Sequence, residues 1–139
     1  MIKITETLGM LTGIPQIDSE HIELIGLLNL INEYILTDKY RDQITTLIIL
    51  FTTKLVRHCH TEEVLLVNSG CTSTVEHSLK HRDLVDKTIT ILENLNKHTC
   101  NDIAVLFEEM LREHIKIVDV PLFEEVRNEL QKKKDKKVC

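Results

Sequence analysis

Glycine and proline are scarce in this chain, four and two among 139 residues, which argues against a many-turned sheet protein. Isoleucine, leucine, glutamate and lysine abound instead and suit long helices. Cys59, Cys71, Cys100 and Cys139 include no CxxC pair, so a zinc ribbon is disfavoured. Their scatter does not match a small secreted disulfide scaffold either, and reduced thiols in a cytosol are expected. The N-terminal residues lack the apolar core of a signal peptide. The most apolar run, Ile44 to Phe51, is too short to span a bilayer. A cytoplasmic protein with no membrane partner is therefore expected. A net charge of −5 lacks the basic surplus that general nucleic-acid binders present to phosphates.

What remains is helical period. The expectation is a single all-α domain over 1–139: an extended arm over 1–17, helices over 18–119, and a C-terminal segment with a basic tail over 120–139. Gly13 and Pro15 interrupt the arm, and Asp18 and Ser19 offer a helix start. His21, Leu24, Ile25, Leu28, Ile31 and Ile35 then share one face, and the first helix stops near Thr37. The second helix, from about Tyr40 to Val67, has a seam of Ile44, Ile48, Phe51, Leu55, His58, Glu62 and Leu65. Gly70 suits a left-handed stop. Ser73 to Glu76 reads as a capping box opening a third helix, with His77, His81, Leu84, Thr88, Ile91 and Leu95 inward. A fourth helix places Ile103, Phe107, Met110, His114 and Ile117 or Val118 inward. Pro121 opens a short last turn or helix, and QKKKDKKVC reads as a frayed, solvated end. Short connections between four long amphipathic helices imply an antiparallel up-down four-helix bundle.

The seams carry polar residues that a core does not want. His21 and His58 lie about 18 and about 19 residues from the first turn, hence near one height at roughly 1.5 Å per residue. Glu62 and His77 are level across the second turn, and His81 and His114 differ by roughly 4–5 Å across the third. Asp119 lies beyond His114, where Pro121 can bend the helix and swing the carboxylate inward. Five imidazoles and two carboxylates buried unpaired would cost several kcal/mol per charged group, and no inward Lys or Arg offsets them. Metal cations would. Seven ligands exceed one tetrahedral zinc, so two ions bridged by carboxylates fit better. His60 points away from the seam, and His98 lies in a turn.

These ligands and their spacing, with the stretches GIPQIDSEH and HCHTEE, resemble the hemerythrin family, in particular its single-domain bacterial members. No ExxH pair of the ferritin type occurs. The resemblance covers about Gly13 to Asp119 and implies a non-heme diiron centre. His77, His81 and His114 would hold one iron, and His21 and His58 the other, which keeps an open position. Glu62, Asp119 and a solvent-derived oxo or hydroxo group would bridge them. It also implies reversible O2 binding for storage, delivery or sensing. The alternative for such a centre is a diiron enzyme reducing peroxide or nitric oxide. O2 is then the expected ligand, a redox partner is compatible with the centre, and a monomer is the default.

The chain departs from the family where an O2 pocket would be lined, by Leu24, Cys59, Met110, Leu111 and Ile115. Cys59 stands where the family has an aromatic residue, and Met110 where it often has Trp. Cys59 reads either as a small buried hydrophobe or as a redox-active or gating thiol.

Overall fold

The computed structural model describes residues 4–37, 41–95 and 100–138, and every regular element among them is helical. Helix α1 spans Ile4–Leu8, α2 Pro15–Thr37, α3 Arg41–Ser69, α4 Thr74–Glu93 and α5 Cys100–Glu113. A π-helical turn, His114–Asp119, then leads directly into α6, Val120–Val138. Helix α3 packs against α2, α4 and α6, while α5 packs against α2 and α4.

The expected extended arm is corrected, because it contains α1 and α2 begins three residues before Asp18. Pro15 accounts for the early start: its fixed φ and missing N–H cost nothing at a first helical position. Asp18 has a different task from the one expected. Its carboxylate reaches back to accept from the Thr12 N–H at 2.7 Å, the Thr12 hydroxyl at 2.7 Å and the Gly13 N–H at 3.1 Å. Gly13 takes φ +83°, and a Cβ there would collide with the Arg127 guanidinium of α6.

Helix α3 ends as expected at Gly70, with φ +74°. The Cys71 N–H bonds the Leu66 carbonyl at 3.1 Å and the Gly70 N–H the Val67 carbonyl at 3.1 Å, a Schellman stop. The Lys133 ammonium donates to the last carbonyl of the same helix, that of Ser69, at 3.0 Å. The capping box at Ser73 does not form. With ψ at 8° rather than extended, the Ser73 hydroxyl makes no cap bond.

The main apolar cluster gathers Leu28, Ile31, Ile35, Ile44, Ile48, Phe51, Leu55, Ile91, Ile103 and Phe107 with neighbouring residues. The Phe51 and Phe107 rings meet edge-on at 5.4 Å. A smaller cluster of Leu66, Phe123 and Val126 lies on the other side of the polar seam residues, with Ile14, Leu65, Cys71 and Leu122 packed against it. The short C-terminal helix expected from sequence is therefore corrected to a 19-residue one, held by Phe123 and Val126. Its Lys-rich end is exposed as far as Lys134. Leu66 rather than Leu65 is fully buried, and Leu111 rather than Met110. Ile117 is 69% exposed, because the π turn rotates it outward.

Candidate metal centre

Between the two apolar clusters, α2 contributes His21, α3 His58 and Glu62, α4 His77 and His81, and the π turn His114 and Asp119. All seven are buried. His60 is exposed, and His98 lies outside the described residues. The π turn explains how the last two ligands share a wall. In an α-helix, residues five apart diverge by about 140°. Here the Val120 N–H bonds the carbonyl five residues back, at Ile115, and Pro121 has no N–H with which to restore the tighter pattern.

The two carboxylates are shared between two sets of imidazoles. Glu62 Oε1 lies 3.2 Å from His21 Nε2 and 2.7 Å from His58 Nε2. Its other oxygen, Oε2, lies 2.9 Å from both His77 Nε2 and His81 Nε2. Asp119 divides the same way: Oδ2 is 3.0 Å from His21 Nε2, while Oδ1 is 3.4 Å from His77 Nε2 and 3.1 Å from His114 Nε2. Two clusters result, His21–His58–Glu62–Asp119 and Glu62–His77–His81–His114–Asp119, each with donor atoms within 4.8 Å of one another.

These donors are only partly matched as hydrogen-bond partners: His21 bonds both carboxylates, and His77 and His81 bond Glu62. His58 Nε2, His114 Nε2 and Asp119 Oδ1 have contacts of the right length, yet at angles that leave them without a hydrogen bond. Lone pairs so aimed converge on points between the groups, where a cation would sit. A buried polar atom left unmatched costs about 1–3 kcal/mol, so three in one place need a compensating partner. The donor set fits metal ions.

Without metal the carboxylates and imidazoles hold one another in their charged forms. Burial pushes the Glu62 carboxyl up, but contacts with His21, His58, His77 and His81 outweigh it and hold the group well below the ordinary range. Asp119 feels burial and the Glu62 charge, yet His114, His21 and His58 bring it down to about 2. Burial disfavours a charged His58, but Asp119, Glu62 and Glu20 raise it to about 10. His21 is raised in the same way, by Asp119 and Glu62 against burial.

Leu24, Cys59, Leu111 and Ile115 are buried in the main apolar cluster, whereas Met110 is half-buried at its edge. Met110 lines a surface cleft of about 420 Å³ between α4 and α5, together with Leu79, Lys80, Leu84, His114 and Val118. The Cys59 thiol is pushed up by burial first, then by the charges of Glu62, Asp119 and Glu63. It stays protonated, which favours the packing reading of this residue over the redox one. Glu20 was not singled out from the sequence, although it directly precedes His21. Its carboxylate accepts from His58 Nδ1 at 2.8 Å.

The class defined by fold and site is an all-helical protein with a buried cluster of histidines and carboxylates able to hold metal ions. No protein-family model, curated protein or solved structure matches the chain. No helix among the described residues is long and apolar enough to cross a membrane.

Proposed function

We propose that the chain is a hemerythrin-like protein that holds two iron ions and binds O2 reversibly, on an antiparallel up-down four-helix bundle built from α2 to α5. The observation that carries this reading is the division of Glu62 and Asp119, each with one oxygen toward the two-imidazole group and one toward the three-imidazole group. His77, His81 and His114 would hold one iron, His21 and His58 the other, and the two carboxylates would span both. Bound ferrous iron would supply the electrons that O2 accepts reversibly. The chain's own part is to offer five imidazoles against only two carboxylates, a donor set with little negative charge. Leu24, Leu111, Ile115 and buried Cys59 keep the neighbouring space apolar, which limits water at the ions. The His21–His58 pair has one imidazole fewer than the group opposite and is the side suited to an added ligand.

The test is to load the protein with ferrous iron, admit air, and follow iron content and the visible spectrum. About two irons per chain, with an absorption band that appears in O2 and vanishes on its removal, is the expected result. Rapid, irreversible oxidation with turnover on added peroxide or nitric oxide would replace O2 binding by the enzymatic reading. Fewer than about two irons in a fully loaded sample would overturn the two-ion site.

A further inference from the structure

His58 is gripped from two directions by consecutive residues of α2. The His21 ring meets it edge-on, centroids 4.6 Å apart, inside the site. Glu20 takes its outer nitrogen, with Oε1 2.8 Å from His58 Nδ1. The second oxygen of Glu20 accepts from the Thr61 hydroxyl at 3.0 Å. His58 and Thr61 are three apart on α3, so the carboxylate spans one turn of that helix with one oxygen on each residue. Its rotation is thereby fixed. Only a fifth of Glu20 is exposed, at a cleft of about 140 Å³ lined also by Glu23, Leu24, Lys54 and Arg57. The Lys54–Glu23 ion pair ties α2 to α3 beside it.

Two of the other imidazoles, one from each group, are treated differently. The Nδ1 atoms of His21 and His81 are buried with no hydrogen-bond partner, and the carboxylate nearest to His81 Nδ1, that of Glu63, stands off at 3.8 Å. The two-imidazole group thus has the poorer set of nitrogens but a charged acceptor fixed behind one of them. An acceptor on Nδ1 keeps the proton there, leaves the Nε2 lone pair for the site, and makes the ring a stronger donor.

We infer that Glu20, oriented by Thr61, is a positioning residue that fixes the His58 tautomer and selectively strengthens metal binding at the two-imidazole group. This rests on the two-ion reading of the site. It predicts that the two positions respond unequally to a change at Glu20, although both share Glu62 and Asp119.

Zinc serves as a diamagnetic probe, with the chain 15N-labelled at histidine. In the wild-type protein with two equivalents bound, His58 Nδ1–H should give a downfield, slowly exchanging proton. Glu20→Gln keeps an acceptor but loses the charge, so the proton should persist and move upfield. Glu20→Ala should lose it to exchange with water. In titrations of variants that keep wild-type helix content, the weaker zinc equivalent should weaken about 10–100-fold in Glu20→Ala and less in Glu20→Gln. The tighter equivalent should change by less than about threefold. An unaltered His58 proton, or equal losses at both equivalents, overturns the inference. A wild-type chain that takes up fewer than two equivalents overturns the two-ion reading, and this inference with it.

Discussion

His114 and Asp119 stand five residues apart in the chain yet bring Nε2 and Oδ1 to 3.1 Å, both on the inner wall of one π turn. That turn holds one residue more than an α-helix would need between two side chains on the same face. Ile117 is the most exposed apolar residue within it. Deleting Ile117 should let the turn close as α-helix with the two ligands four apart, and leave the register of α6 intact. Zinc stoichiometry should be unchanged and stability within about 0.5 kcal/mol of wild type by urea unfolding. Loss of both metal equivalents would show that the wide turn itself is required.

The pH dependence of the metal-free protein has a sign set by the site. His58 is raised to about 10 from an unfolded value of about 6.5, so its stabilising contribution is full below about 6.5 and lost as pH rises toward 10. Asp119 is lowered to about 2 from about 3.9, so its contribution is full above about 3.9 and lost as pH falls toward 2. Glu62 shifts in the same direction as Asp119. Thermal melts should show greatest metal-free stability between about pH 4 and 6.5. Metal needs unprotonated imidazoles, so the gap in melting temperature between loaded and metal-free protein should widen from about pH 5 to 8. A gap that narrows over that range would contradict the site.

Cys59 is 5% exposed and its thiol is pushed up by burial, while Cys71 is half-buried near the Schellman stop. A thiol reagent should label Cys59 at least about 100-fold more slowly than Cys71 in the native protein, and at comparable rates in denaturant. Fast native labelling of Cys59, read by peptide mass spectrometry, would restore its reading as a reactive thiol.

Phe123 is fully buried against Leu66 and meets the His77 ring edge-on, centroids 6.0 Å apart. Phe123→Ala should cost about 3–5 kcal/mol in denaturant unfolding and weaken metal retention together with it. A cost below about 1 kcal/mol would mean that α6 is not part of the core.

The convergence of the seven was legible because helical spacing is rigid. Each of the seven seam residues falls on a face fixed by its apolar neighbours, and the structure gathers all seven. The pocket-lining set was less legible, since Met110 and Leu111 are adjacent and one residue of register decides which is buried. The length of α6 was underestimated because its buried apolar anchors, Phe123 and Val126, lie in its first half, and the Lys-rich stretch that follows reads as a solvated end. The start of α2 was misplaced because Asp18 carries a capping residue's chemistry but directs it backward, to Thr12 and Gly13. Glu20 gave no periodic signal at all. Its partner is across a helix interface, and nothing in the spacing of α2 reveals it.

Asp119 is the last residue before α6, and α6 is fastened to the rest of the chain through Phe123, Val126 and the Lys133–Ser69 bond. With Asp119 as a metal ligand at the root of a docked helix, metal occupancy and local opening of that helix would form a single thermodynamic cycle. Ions that bind only the closed form stabilise it by RT ln(1 + [L]/Kd), about 2.7 kcal/mol at a hundredfold excess over Kd. That free energy would be read as slower hydrogen exchange at the amides of Phe123 and Val126, neither of which carries a coordinating atom. The converse would hold as well: whatever lifts the C-terminal helix would loosen the grip on bound ions.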